Sequence, residues 1–171
     1  VAQHERDYVR WQNRAVRFYL AARLLHGNQL YAPAAYSAAI AIELLLKATL
    51  VYCDRSFDPL AAGHGMAKLC RMVRNKMHGA QSFTIPDYFY HEQRYLKTSR
   101  YPNGDNGLGI PAEFLVDLDR VFVELLPLVP FQHNTEIKRA LRGKDKNMLL
   151  ALRRRNPYMR RLRATLGVSL T

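Results

Sequence analysis

One segment, from Pro33 to about Cys53, limits the fold more than any other part of this 171-residue chain. It is rich in Ala and Leu and has almost no polar side apart from Glu43 and Lys47. A helix that is apolar on nearly every side lies at the centre of a bundle or crosses a membrane. Because the two charges interrupt the apolar run, we expect a buried bundle helix and no membrane span.

Helical periodicity continues on both sides of this segment. Apolar residues recur at three- and four-residue steps from about Asp7 to Leu25, from about His64 to His78, and after Pro111. An aromatic-rich stretch, residues 86–97, is also expected to be helical, and turn-forming residues fill the loop that follows it. No strand pattern competes anywhere in the sequence. The sequence therefore predicts an all-α fold.

The positive charge is distributed unevenly along the chain. The formal net charge is +12, yet residues 131–171 hold 11 of the 26 basic residues and only two acidic ones. We therefore divide the chain into a nearly neutral helical bundle, residues 1–130, and a basic helical extension, residues 131–171. A domain this basic usually binds something acidic, and the expected contact lies in the extension.

The cysteines and the N-terminal sequence favour an intracellular protein. Cys53 and Cys70 are too few for a disulfide framework, and no tight spacing of Cys and His indicates a metal site. No signal-peptide pattern stands at the N-terminus. We expect two buried thiols in a cytoplasmic protein that uses neither a metal nor another cofactor.

Three motifs resemble those of the HEPN family of small helical proteins. Residues 41–48 (Ala-Ile-Glu-Leu-Leu-Leu-Lys-Ala) place Glu-x-x-x-Lys on the apolar helix, and residues 63–69 (Gly-His-Gly-Met-Ala-Lys-Leu) open the next helix. Residues 100–102 (Arg-Tyr-Pro) then precede the last core helix. The resemblance covers about residues 11–129. Where such proteins usually have Asp after the His, this chain has Gly65.

The resemblance implies an antiparallel bundle of four to five helices, commonly a homodimer, that is associated with nucleotides or RNA. Some family members look like ribonucleases of toxin–antitoxin and defence systems, whereas others are non-catalytic binding modules. The fold does not decide between these functions. The candidate protein partners are an acidic protein, which the basic tail would bind, and a nucleotidyltransferase-like protein.

A catalytic interpretation depends on three residues, Arg71, Arg74 and His78. The catalytic branch of the family carries an Arg followed, after four to six residues, by a His; Arg71 fits this spacing and Arg74 is one residue too close. On a helix the three share one face. A guanidinium there could hold a phosphate while the imidazole accepts a proton from a ribose 2′-hydroxyl, which needs no metal. The alternative is a solvated basic helix end, with His78 beside the helix dipole.

Four polar residues of the bundle, Glu43, Lys47, His64 and Arg100, have two interpretations. They could form a nucleotide site, or they could lock the loops against the bundle. Charges on a nearly all-apolar helix are costly unless they are paired. An internal pair that links Glu43 to Arg100 or His64 is therefore the favoured interpretation.

The extension carries the least ambiguous functional signal, since six arginines and one aromatic ring fall within eleven residues. Guanidinium binds phosphate through two parallel hydrogen bonds, and a tyrosine ring can stack on an exposed base. The same segment also has an apolar side, which could pack on the bundle or on an acidic protein. The candidate nucleic-acid-binding residues are Arg153, Arg154, Arg155, Tyr158, Arg160, Arg161 and Arg163.

The sequence thus predicts a HEPN-like helical protein that binds RNA, DNA or a nucleotide through a basic surface and is not an obvious enzyme. A toxin–antitoxin or defence context and a homodimer come with the resemblance. One alternative is a metal-independent endoribonuclease that uses an Arg/His pair. The other is a protein-interaction module whose basic tail binds an acidic partner.

Overall fold

The computed structural model describes residues 3–77, 83–91, 110–131 and 136–169, with side chains from residue 8 onward. These residues form seven α-helices and two short 3-10 helices (Asp87–His91 and Leu126–Leu128), and they contain no strand. The predicted all-α fold is confirmed. The helices are α1 (Gln3–Gly27), α2 (Tyr31–Cys53), α3 (Met66–Lys76), α4 (Phe114–Leu125), α5 (Glu136–Leu141), α6 (Lys146–Arg153) and α7 (Met159–Thr165).

Helices α1 and α2 form a long antiparallel pair joined by a three-residue turn. The Asn28 side chain donates a hydrogen bond to the Leu24 carbonyl oxygen (2.8 Å), and Gln29 takes a positive φ of 62°. A left-handed residue after a side-chain cap ends a helix without leaving its last carbonyls unsatisfied. The short turn therefore directs α2 back along α1.

Helix α2 lies at the centre of the bundle, and 16 of its 23 residues are buried. By length and composition it could cross a membrane, but 89% of its apolar window is buried inside the fold. The core helix of a globular protein passes the same test. Helices α1, α3 and α4 pack their apolar sides against α2, as periodicity predicts for amphipathic helices, whereas α5 and α6 pack on α1, and α7 packs on α4.

Aromatic rings fill the space between α1, α4 and the first 3-10 helix. The Tyr19 and Phe122 rings stack with centroids 3.9 Å apart, and Phe89 meets Phe114 at 5.5 Å. Phe89 comes from the stretch expected to be an α-helix; the described part of that stretch forms a 3-10 helix instead, and residues 92–97 lie outside the described ranges.

The extension shares the hydrophobic core of the bundle. Leu152, Leu162 and Leu166 are buried in the same cluster as residues of α1, α2 and α4. The boundary at residue 130 thus marks a change of charge within one packed core. The expectation of two buried thiols is wrong for Cys53, which is exposed because it ends α2 at the surface, whereas Cys70 is buried.

Candidate nucleic-acid interface

The extension exposes most of its positive charge to solvent. Both of its carboxylates are already engaged: Glu136 pairs with Arg17 at 3.1 Å, and Asp145 accepts a hydrogen bond from the Met148 backbone N–H at 2.9 Å, which caps α6. We define the basic surface as the nine exposed cations of the extension: Arg139, Arg142, Lys144, Lys146, Arg153, Arg154, Arg155, Arg160 and Arg161.

A buried arginine of the bundle holds the end of α6 in place. Arg23 donates from Nε to the Ala151 carbonyl oxygen (2.8 Å) and from Nη2 to the Arg154 carbonyl oxygen. Its Nη1 donates to both carboxylate oxygens of Asp119, each at 2.5 Å. Arg23 is 1% exposed, so these bonds form away from water and are the strong, charge-assisted kind. The Arg23 clamp thus ties α6 to α1 and α4.

The carboxylate of this clamp has a second partner. The Tyr19 hydroxyl donates to Asp119 Oδ1 at 2.6 Å. Burial raises the pKa of Asp119 to about 6, and the opposing charge of Arg23 limits the rise. Burial and the Asp119 charge also raise the pKa of Tyr19 well above its ordinary value, so its hydroxyl stays a donor. Tyr19 and Arg23 thus supply the hydrogen-bond donors that the buried carboxylate of Asp119 needs.

Sequence reasoning missed the Arg23 clamp, although a signal for it exists. Tyr19 and Arg23 stand four residues apart, on the apolar side of α1. Asp119 likewise follows Leu118 within the apolar pattern of α4 and is fully buried. Polar residues at core positions need partners. Two opposite charges at such positions on different helices therefore indicate a buried pair.

The turn between α6 and α7 is a fixed corner. Arg154 Nη1 donates to the Gly27 carbonyl oxygen at the end of α1 (3.0 Å), and Asn156 Oδ1 accepts from the Tyr158 N–H (2.9 Å). Arg155 adopts a positive φ of 50°. Nearby His26 has a lowered pKa, because it is partly buried and lies close to Arg23, Arg154 and Arg155. The corner holds its exposed guanidiniums on a rigid frame.

Two predicted nucleic-acid-binding residues are placed differently from the other five. Arg163 is 5% exposed; its Nη2 donates to the Leu141 carbonyl oxygen (3.1 Å) and its Nη1 to the Ser169 carbonyl oxygen (3.2 Å). Its donors are therefore used inside the fold, where they join α7 to α5. Tyr158 is half-buried against the core. The exposed members of the predicted set are Arg153, Arg154, Arg155, Arg160 and Arg161.

The predicted catalytic residues are only partly described. Arg71 and Arg74 are exposed on α3, while His78 lies outside the described residues. Arg74 Nη2 donates to the Phe83 carbonyl oxygen (3.1 Å), and its guanidinium lies over the Phe83 ring, 5.2 Å from the centroid. Arg74 thus ties Phe83 to α3. This contact gives Arg74 a structural role.

Glu43 and Lys47 form a buried ion pair, and His64 contacts this pair from the surface. Lys47 Nζ lies 2.8 Å from Glu43 Oε1, and His64 Nδ1 lies 3.1 Å from the same oxygen. Glu43 and Lys47 are buried, whereas the His64 side chain is 73% exposed. Lys47 also faces the Trp11 ring at 5.5 Å, a favourable cation–π distance. The cluster links α2 to the loop before α3. Arg100 lies outside the described residues.

In the described ranges, no group of three or more His, Cys, Asp or Glu side chains is arranged to hold a metal ion.

The model of one protein family, the HEPN domain, matches residues 8–126. This match spans α1 to α4, covers more than half of the chain and agrees with the predicted range of 11–129. Comparisons with curated proteins and with solved structures gave no significant match.

Proposed function

Because this chain belongs to the HEPN domain family, whose model matches residues 8–126, we propose that it binds RNA through the basic surface of its extension. The family supplies a helical bundle that is often associated with RNA or nucleotides. The matched region is nearly neutral, whereas the extension holds most of the excess positive charge. The proposed contact therefore lies outside the residues that define the family.

The observation that carries this proposal is the unbalanced exposed charge of the extension. Nine cations are exposed, and the two carboxylates of the extension are occupied by Arg17 and by a helix cap. A surface with so many unneutralised guanidinium and ammonium groups attracts a polyanion and gains free energy from counterion release. Arginine adds paired hydrogen bonds to phosphate oxygens.

The distribution of these cations favours a nucleic acid over a mononucleotide. They are spread over α5, α6, α7 and the turns between these helices. A mononucleotide presents its phosphates at one point, while a strand presents one phosphate after another. The rigid corner that contains Arg154 and Arg155 also reduces the conformational entropy lost on binding.

The proposal does not include catalysis. Arg74 holds the Phe83 carbonyl, so a free guanidinium of α3 would have to come from Arg71 alone. We propose binding in the cytoplasm, by a homodimer, with a toxin–antitoxin or defence system as the context that the family suggests. RNA is preferred over DNA because the family is often associated with RNA. The binding assay described next compares the two directly.

The test is the salt dependence of binding to a short, labelled single-stranded RNA, followed by fluorescence anisotropy. Each phosphate contact contributes about 0.7 to the slope of log K against log salt for single strands. For the variant with Arg160→Ala and Arg161→Ala, the magnitude of this negative slope should therefore be smaller by about 1.4. The matched control removes two exposed cations outside the extension, with Arg55→Ala and Lys68→Ala. Equal slopes for the two double variants would refute the proposed surface, and a DNA of the same sequence measures the preference for RNA.

A further inference from the structure

A cleft opens between α1, the end of α2 and the loop that follows α2. All of its lining residues come from the first 60 residues of the chain, whereas the basic surface belongs to the extension. Its volume is about 370 Å³, within the size range of small-molecule and peptide-anchor pockets. Five of its eight lining residues are apolar, among them Trp11, Phe57 and Leu60. Leu60 is 79% exposed, and Phe57 is half-buried. The cleft therefore presents a small apolar surface to solvent.

The remaining three lining residues are Arg10, Arg14 and Arg55, and all three are exposed. Among the described side chains none of the three forms an ion pair. Arg10 and Arg14 are four residues apart on α1, a spacing at which like charges destabilise a helix. Three clustered guanidiniums without an ion-pair partner make the local electrostatic potential positive, and this potential attracts an anion.

The two carboxylates of the loop that follows α2 are used elsewhere. Asp54 lies 2.9 Å from Lys76 Nζ and also accepts from the Ser56 hydroxyl. Asp58 accepts from the Leu60 and Ala61 backbone N–H groups, at 2.8 and 3.2 Å. These bonds shape the loop and leave the cleft arginines without a carboxylate partner from it. An anionic ligand would complement the charge of these arginines.

The lining distinguishes between two kinds of anionic ligand. Arginine can bind a guanine edge, but the cleft is lined by no amide, hydroxyl or carboxylate side chain that would read the other bases. Apolar and aromatic residues beside arginine are instead the composition of protein interaction hot spots. Arginine also pairs with carboxylates through two parallel hydrogen bonds.

We infer that this cleft binds a short acidic segment of another protein, with a Leu or Phe side chain seated against Trp11 and flanking carboxylates paired with the three arginines. The site is separate from the basic surface, since none of its lining residues belongs to the extension. Its partner is a protein, whereas the basic surface is assigned to RNA. The two proposals can therefore fail independently.

Trp11 provides a direct signal for this binding, because it lines the cleft and is the single tryptophan of the chain. The probe is the tryptophan-free peptide acetyl-Asp-Glu-Leu-Phe-Glu-Asp-amide, added to the full chain at low salt. We expect a saturable change of tryptophan emission, with the same affinity by titration calorimetry. Replacing both apolar residues of the peptide by Ser, or its four acids by Asn and Gln, should weaken binding about tenfold or more.

Variants of the protein test the same geometry. Arg55→Glu and Leu60→Ser should each weaken binding of the acidic peptide about tenfold, since one reverses a charge and the other removes an apolar contact. Lys68→Glu, an equal charge change at an exposed position outside the cleft, should leave the affinity within about twofold. All three positions are exposed, so circular dichroism and thermal unfolding should match the parent protein.

Three results would overturn the inference. The first is the absence of a saturable signal in both fluorescence and calorimetry. The second is equal weakening by Lys68→Glu and Arg55→Glu, which would mean attraction by the net charge alone. The third is tighter binding of AMP than of the peptide in a calorimetric titration that depends on Arg55, which would assign the cleft to a nucleotide.

Discussion

Replacing Arg23 by Met should destabilise the protein by about 3–5 kcal/mol at pH 8, because it leaves a buried carboxylate without its cation. The side chains of Arg23 and Asp119 are both fully buried, so solvent does not screen the loss. The carbonyl oxygens of Ala151 and Arg154 also lose their donor. For a chain of this size the melting temperature falls about 2–4 °C per kcal/mol, which gives a decrease of about 6–20 °C.

The pH dependence of this loss is part of the prediction. The folded pKa of Asp119 is about 6, above its ordinary value of 3.8. Its proton binding therefore contributes stability that is fully present below about pH 4 and is lost as the pH rises through about 6. Without Arg23 the folded pKa rises further, because the positive charge that lowers it is gone. The variant should thus recover part of its lost stability between pH 8 and pH 5.

Urea denaturation at pH 8 and pH 5, followed by circular dichroism, measures both effects. The matched control is Arg17→Met on the same helix, where the side chain is 68% exposed and its pair with Glu136 is worth about 1 kcal/mol or less. The double variant Arg23→Met with Asp119→Leu removes the unpaired charge and should be more stable than Arg23→Met, although the Tyr19 hydroxyl and two carbonyl oxygens still lack their partners. A loss below about 1 kcal/mol for Arg23→Met, or the same loss at both pH values, would refute the argument.

Three further predictions concern other charged groups. Arg163→Ala should destabilise the protein by about 1–3 kcal/mol in urea without changing the salt slope of RNA binding, whereas Arg161→Ala should weaken RNA binding and leave stability within about 0.5 kcal/mol. Glu43→Gln should cost about 3–5 kcal/mol in the same assay, because Lys47 would stay buried without its carboxylate; a cost below about 1 kcal/mol would contradict a buried pair. RNA binding should raise the pKa of His26, followed by NMR of its imidazole, because the nucleic acid neutralises the neighbouring arginines that lower it. The affinity should then increase as the pH falls, and an unchanged pKa would place the RNA away from this corner.

The sequence was sufficient for the parts of the fold that depend on local pattern. The apolar run of α2 and the periodicity of α1, α3 and α4 predicted an all-α protein, and the order of the three motifs predicted the family. These features depend on neighbours three or four residues apart, or on short motifs. A single sequence contains both kinds of information.

The contacts that shape the candidate interface depend on long separations in sequence. Arg23 and Asp119 are 96 residues apart, and Arg154 reaches Gly27 across 127 residues. Periodicity gives no distance between such groups, so a cluster of arginines in the extension predicted six equivalent ligands. The structure divides them, since Arg163 is buried in hydrogen bonds to backbone carbonyls while its neighbours remain exposed.

The same contacts decide which experiment can separate the extension from the bundle. Deleting the extension would remove Leu152 and Leu162 from the common core and would leave Arg23 without two of its acceptors. Such a truncation would unfold or loosen the bundle, so a loss of RNA binding would follow for either reason. Substitution of Arg160 and Arg161 alters charge at exposed positions and leaves the core intact. The function of the extension must therefore be tested by changing its charge within the complete chain.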